Sequence, residues 1–344
     1  MKKIVFAVVA AVCIASLAYP AESPEKPKPK VVLKIATLAP SGSYDKLRKM
    51  IQEKTGFEVD CKFYYGGIQG DAVDVLRKIR FRQLHGATLS GYGLGQIVPE
   101  SRVTSLPYVF RNYDEVNYVQ SRLEEHLNAK FEQAGYKVLG WHSVGFIYTF
   151  SKVPITSLEV AREQKFWVPE NDEVANALCE TLGISPVSLS ITDVMTSLST
   201  RLIDAASAPA LAAVGFRWYT RFKYMSEYPL GNVLSALVIT KKQWDKISPK
   251  GQADILSVSR EFFQKAEAVI REKDKQSIAA LKKAGIQVVR LDADESRRFI
   301  EETSVKTRNA LVGKLYSREL LDRVLGLLEE YRAAHPDSIV EKIE

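Results

Sequence analysis

Lys165-Phe166-Trp167-Val168-Pro169-Glu170-Asn171, near the middle of the chain, is a short β-prone run ending in a proline and an Asn-Asp pair able to start a helix. A strand that stops where a helix begins is where open α/β folds place ligands, because strand end and helix N-terminus open onto one crevice. Trp167 is therefore expected to face whatever the protein binds. The plainer expectation for a lone tryptophan is a place in the core.

Working outward, the same strand-then-helix grammar repeats. Val31 to Leu38 is a continuous apolar run of the kind buried on both faces, followed by a turn, Ala39 to Ser43, whose serines can cap a helix over Tyr44 to Lys54. Phe57 to Tyr65 reads as a strand. Asp71 then caps an amphipathic helix carrying Val73, Leu76, Ile79 and Leu84, and Ala87 to Ser90 is a third strand. Asp114 is expected to cap a helix to Ala134, with Tyr136 to Trp141 and Phe146 to Phe150 as two separate strands. Asn171 to Leu182 is a helix, Pro186 to Leu189 a strand and Thr192 to Leu202 another helix. Strands alternating with helices at these lengths imply an α/β fold of largely parallel, helix-covered sheets, without internal repeat.

The C-terminal third changes character. Ser248-Pro249 is a cap followed by proline at the first helical position, and the chain stays helix-compatible to Ala284 before Gly285 stops it. Some 36 residues at 1.5 Å each span about 54 Å, so this helix must bridge two domains or project from one. Ile286 to Leu291 is a strand, and Asp292 to Ala334 holds two more helices.

With 344 residues the chain is long enough for two domains. Its 46% apolar and 26% charged residues are those of an ordinary soluble globular protein. The net charge of +7 falls to +5 without Lys2 and Lys3, too mild for a nucleic-acid partner, and no basic run with interleaved aromatics exists. Met1-Lys2-Lys3 and the apolar run Ile4 to Ala18, with Ser16 and Ala18 at −3 and −1, have the pattern of a secretory signal over residues 1–18. Val12 before Cys13 argues against lipid attachment. Residues 19–30 are a proline-rich charged tether. Cys61 and Cys179 remain, and apolar neighbours favour two buried free thiols over a disulfide.

The motifs argue for binding over catalysis. Gly91-Tyr92-Gly93-Leu94-Gly95 follows a strand but lacks the spacing of a nucleotide loop, and Val98-Pro99 interrupts the helix such a loop needs. His85, His126, His142 and His335 are scattered without metal-ligand spacing and read as surface or capping residues. There is no Gly-x-Ser-x-Gly elbow, and Glu124-Glu125 and Glu329-Glu330 fall on solvent faces of helices. No cofactor and no metal are expected.

Five segments then resemble one family in its own order: Leu33 to Pro40, Phe63 to Asp71, Leu106 to Phe110, Ser151 to Ile155 and Ser207 to Ala213. They are similar to the extracytoplasmic substrate-binding subunits of TRAP transporters, the DctP-like family, over about Val31 to Leu291. The overall pattern also looks like the subgroup that works with a tetratricopeptide-repeat protein in the periplasm. The resemblance implies a two-lobed periplasmic binding protein fold with a long helix spanning both lobes. Lobe I would be residues 31–145 plus 233–247 and lobe II 146–232 plus 285–291, with the spanning helix at 248–284 and a C-terminal helical extension at 292–344. The small-molecule ligand would sit between the lobes and pass to membrane permease subunits.

The departures from the family matter as much. Members that bind organic acids carry an arginine where Trp167 stands, a second where Ile147 stands, and an asparagine where Ala208 stands. Loss of a bidentate arginine would cost a buried carboxylate several kcal/mol. The resemblance with these departures therefore implies a small, apolar or uncharged ligand, with Trp167 stacking, Ile147 and Ala208 lining, and Glu170 and Ser90 orienting. Tyr44, Gln69, Ser190, Pro209 and Trp218 would complete the site. The rival readings are a secreted α/β enzyme using a carboxylate in the same cleft and a ligand-sensing ectodomain. For the extension, docking on a partner and packing on lobe II both stay open.

Overall fold

The computed structural model describes residues 28–290, 293–340 and 342–343. The signal segment and most of the tether lie outside the described residues. The strands are β1 (Val31–Ala36), β2 (Val59–Tyr64), β3 (Gly86–Ser90), β4 (Tyr136–Ser151), β5 (Phe166–Pro169), β6 (Val187–Leu189), β7 (Ala205–Pro209), β8 (Tyr224–Ser226), β9 (Gly231–Thr240) and β10 (Gln287–Val289). The helices are α1 (Asp45–Lys54), α2 (Ala72–Arg80), α3 (Gly91–Gly95), α4 (Tyr113–Gln133), α5 (Leu158–Arg162), α6 (Glu173–Leu182), α7 (Val194–Ser199), α8 (Ala210–Gly215), α9 (Lys241–Trp244), α10 (Pro249–Lys283), α11 (Ala293–Ala310) and α12 (Arg318–Ala334). Among the described residues no helix is long and apolar enough to cross a membrane.

The strands join in the order β2-β1-β3-β9-β4-β7-β5-β6, with β8 beside β4 and β10 beside β8. β1 is parallel to β2 and β3, and β5 is parallel to β6 and β7. These are two parallel α/β units, one on β1–β3 (lobe I here) and one on β5–β8 and β10 (lobe II here). β4 and β9 run antiparallel to each other between them, from Tyr136↔Thr240 to Ile147↔Gly231. The far end of β4 then pairs with β7, from Ile147↔Pro209 to Ser151↔Ala205.

Three sequence expectations are corrected here. The two strands expected over 136–150 are one 16-residue strand. The glycine that reads as a break, Gly145, sits at φ +127 beside an irregularity in the pairing, so the ladder bends without ending. α4 is capped by Asn112, whose side chain accepts from the amides of Asp114 and Glu115, so Asp114 lies inside the first turn. No side chain caps α1, because the turn places Tyr44 at that position.

A further expectation fails on burial. β1 is not covered on both faces: Leu33 and Ile35 are fully buried, whereas Val32 is 39% exposed. Leu33 and Ile35 pack with Leu47 and Ile51 of α1 and with Ile255 and Phe263 of α10. The opposite face at this end of the sheet is left to water. Cys61 and Cys179 are both free and buried.

The long helix expected from Ser248 to Ala284 is α10, with Ser248 Oγ accepting from the Gly251 amide at 3.1 Å and Pro249 at the first helical position. It packs on β4, on α1 of lobe I and on α8 of lobe II. Gly140 of β4 admits this approach, since a Cβ there would overlap the Phe263 ring.

The C-terminal extension reaches both lobes, where the sequence left packing on lobe II or a docking role open. α11 lies on α6 and α12 on α4. Arg332 of α12 grips Glu115 of α4 through Nε at 2.7 Å and Nη2 at 2.8 Å. The chain then returns, and the Ile343 amide donates to the carbonyl of Glu227, just after β8, at 3.0 Å.

Candidate ligand-binding cleft between the lobes

The carboxyl ends of β1, β3, β5 and β7 and the crossing strands β4 and β9 enclose one large cavity of about 1560 Å³. That exceeds the roughly 300–1,000 Å³ of a site closed on a drug-sized ligand, so the cavity is a whole interlobe cleft.

Seven residues singled out in the sequence lie on its wall: Tyr44, Ser90, Ile147, Trp167, Ala208, Pro209 and Trp218. The sheet brings them together. Ile147 stands opposite Pro209 and Tyr148 opposite Ala208, while Trp167 is in parallel register with Ala206. Trp167 is 5% exposed, and its indole N–H donates to the Leu189 carbonyl at 2.9 Å. Its ring meets Trp218 edge to face at 5.4 Å, and Trp218 stacks on Phe216 at 5.7 Å. The aromatic wall is therefore fixed from behind, with its polar handle already satisfied.

Three other residues singled out in the sequence are not on that wall. Glu170 is exposed past the end of β5. The side-chain oxygen and carbonyl of Gln69 are both held by Lys78 Nζ, at 3.1 and 2.7 Å. Ser190 caps the turn that leads into α7, its Oγ accepting from the Thr192 amide.

Among the wall residues that sequence reasoning passed over, three are held in place by specific contacts. Arg102, in the 3-10 turn Pro99–Ser105 of lobe I, is 6% exposed and pairs with Asp172 of lobe II at 2.6 Å. Asp172 also caps α6, accepting from the amides of Val174 and Ala175 at 3.1 and 3.2 Å. α6 thus starts at Glu173, and Asn171, left at φ +60, belongs to the turn before it.

The third is His142, which the sequence placed among surface and capping residues. It stacks on Phe263 at 5.2 Å and lies 3.4 Å from the Tyr44 hydroxyl. Burial lowers its pKa from 6.5 to about 4, so the ring is neutral at pH 7.

The Gly91–Gly95 run, rejected as a nucleotide loop, has another use. It forms α3, and the Arg102 side chain lies along its glycine face. A Cβ on Gly95 would come within 2.7 Å of Arg102 Cδ, and one on Gly91 would meet Nη1. The run has the glycines a buried arginine needs beside it.

Polar groups are spread around the cleft. Thr88 and Ser90 line it from lobe I, and Thr149 and Ser207, 3.1 Å apart, from lobe II. Lys46 and Lys273 stand on its wall as exposed cations, and Glu159, Glu227 and Glu261 line it as carboxylates. No group of three or more His, Cys, Asp or Glu side chains among the described residues could hold a metal ion.

Two α/β lobes joined by crossing strands over such a cleft define a binding protein of the two-lobed periplasmic type. The family model described as bacterial extracellular solute-binding protein, family 7 matches residues 39–312, and the chain belongs to that family. It is 23% identical over 250 residues to the 2,3-diketo-L-gulonate-binding periplasmic protein YiaO of Escherichia coli, covering 71% of this chain and 75% of that one. Among solved structures it resembles a TRAP periplasmic solute-binding protein from Desulfovibrio salexigens with bound orotic acid, at TM-score 0.79 and 20% identity, over 88% of this chain and 99% of that one. A Haemophilus influenzae TRAP solute-binding protein with bound L-gulonate gives TM-score 0.79 at 18% identity, over 87% and 99%. At these identities the structural likeness shows the fold.

These relatives correct one expectation. The apolar or uncharged ligand inferred from Trp167, Ile147 and Ala208 finds no support in proteins whose ligands are gulonate, diketogulonate and orotic acid. The physical reason is that a cleft's charge is not fixed by the two family arginine positions. Lys46, Lys265 and Lys273 reach the same wall from other elements, as do the carboxylates of Glu159, Glu227 and Glu261. The tetratricopeptide-repeat partner likewise finds no support in these comparisons.

Proposed function

We propose that this protein is the extracytoplasmic binding subunit of a TRAP-type transporter, taking a small hydroxylated organic acid between its lobes and handing it to membrane permease subunits. The observation that carries the reading is the ring of hydroxyls around the interlobe cleft, Thr88 and Ser90 on one side and Thr149 and Ser207 on the other, with the ammonium groups of Lys46 and Lys273 on the same wall as the carboxylates of Glu159, Glu227 and Glu261. Hydroxyls match ligand hydroxyls in either direction of donation, and ammonium groups match a carboxylate. The relatives' ligands are acids, which fits this chemistry.

Lobe I comprises residues 31–145 and 233–247 in this reading, and lobe II 146–232 and 285–291. They close on the ligand about β4 and β9. Tyr44, Ser90, Ile147, Trp167, Ala208, Pro209 and Trp218 contact it, Trp167 giving an apolar side that Trp218 backs edge to face. A secretory signal at residues 1–18 would deliver the chain to the periplasm. The role is binding, without chemistry on the solute.

Isothermal titration calorimetry with D-glucuronate, L-gulonate, orotate and succinate tests the ligand class. Micromolar binding of at least one acid, weakened about tenfold or more by Lys46→Met or Lys273→Met, is expected. Binding of neutral sugars with no response to any acid would overturn it.

A further inference from the structure

Arg102 and Asp172 belong to different lobes, and no other ion pair between the lobes' α/β units has both side chains this deeply buried among the described residues. Their side chains are 8% and 10% exposed and meet at 2.6 Å. Each is set up by its own lobe. Arg102 lies in the groove that Gly91 and Gly95 leave open, and Asp172 is held at the start of α6 by the amides of Val174 and Ala175. Gln96 Nε2 adds a second contact across the same gap, donating to the Asn171 carbonyl at 3.3 Å. β5, which leads to Asp172, lies two strands from the crossing strand β4. At about 4.8 Å per strand, β5 itself lies some 10 Å from β4, so the pair stands to one side of the crossing strands.

We propose that Arg102 and Asp172 form a ligand-independent clasp that holds the lobes together across the cleft, so that the closed arrangement is populated before solute arrives. The chemistry makes it reversible. The attraction of a pair meeting at 2.6 Å, with Asp172 also accepting two amides, outweighs the hydration both ions lose on closing, and opening the lobes returns both to water together. Neither state strands a charge, so the open form stays accessible beside the favoured closed one, as a two-state device requires. Removing only one partner breaks this symmetry. The closed form then holds an uncompensated buried ion, while the open form hydrates it.

The test needs no solute. Cysteines introduced at Phe81, 71% exposed on lobe I, and Leu202, 48% exposed on lobe II, carry spin labels, while Cys61 and Cys179, at 0% and 6%, stay unlabelled. Double electron–electron resonance on the ligand-free protein should give one dominant short distance. Asp172→Asn, which keeps the helix cap, should shift the closed-to-open ratio at least about tenfold toward a longer distance. Arg102→Met with Asp172→Asn, which strands no charge but removes the pair altogether, should stay more open than the parent protein. Circular dichroism and the unfolding midpoint confirm that each variant is folded. An unchanged distribution in Asp172→Asn, or a double variant as closed as the parent protein, would overturn the clasp. Neither outcome bears on the acid-binding reading, which rests on calorimetry.

Discussion

Replacing Arg332 by methionine measures how far the C-terminal extension is structurally part of the protein. Glu115 is fully buried and accepts from the Arg111 amide at 2.8 Å as well as from both arms of Arg332. Arg332 Nη2 also donates to the Val109 carbonyl at 2.8 Å. Methionine keeps the aliphatic stem that packs on the neighbouring helix, so the change isolates the guanidinium. Stranding a buried carboxylate costs about 3–5 kcal/mol when water cannot reach it. The Arg332 side chain is 29% exposed, so some water can replace it and the expected loss is about 2–4 kcal/mol. Urea unfolding followed by circular dichroism reads this as a drop in midpoint at unchanged slope. The double variant Glu115→Gln with Arg332→Met carries no buried charge and should recover at least about 1 kcal/mol of the loss. A loss below about 1 kcal/mol for Arg332→Met, or a double variant less stable than the single one, would refute the reasoning that this pair anchors α12.

Other outcomes follow from the same geometry. The folded state holds His142 neutral with a pKa of about 4, so as pH falls from 6.5 the unfolded chain binds the proton first and stability drops by up to roughly 3 kcal/mol by pH 4. His142→Phe should flatten that part of the stability–pH curve, and an unchanged slope would remove His142 as its source. Gly95→Ala places a methyl 2.7 Å from Arg102 Cδ and should destabilise by about 1–3 kcal/mol in thermal unfolding, whereas a wild-type midpoint would mean that Arg102 moves aside freely. Ending the chain at Gly313 removes Leu320, Leu321, Val324 and Leu328, all buried, and at about 1.5–3 kcal/mol each this approaches the whole stability of a domain. The truncated protein should aggregate or show broadened proton spectra, and a well-folded product with the native midpoint would show that α12 is an accessory.

What could be read from the chain is what its local chemistry determines. The α/β class came from alternating apolar runs and caps, and the 35-residue α10 from Ser248-Pro249 at one end and Gly285 past the other. Boundaries slipped where two neighbouring residues could do the same job. Asn112 caps α4 in place of Asp114, and Asp172 caps α6 in place of Asn171, because either side chain accepts from an amide two or three residues on. The break expected between Trp141 and Phe146 is not there, since nothing local separates a glycine such as Gly145 that ends a strand from one that bends it.

The cleft was legible only along the strands that carry it. Trp167 was read from its strand end and Ile147 and Ala208 from the resemblance to the family, and pairing in one sheet brings these residues and Pro209 together. Arg102 and Asp172 are 70 residues apart on separate lobes, and neither lies in a pattern that periodicity detects. The only local trace of their meeting is Gly91-Tyr92-Gly93-Leu94-Gly95, whose glycines fit no nucleotide and are explained by the side chain that lies across them. The error in ligand class has the same origin. An arginine missing from β5 says what one strand cannot hold, but the charges of a cleft between two lobes come from every element that reaches it, and Lys46, Lys265 and Lys273 stand there with Glu159, Glu227 and Glu261 on elements that no local pattern connects.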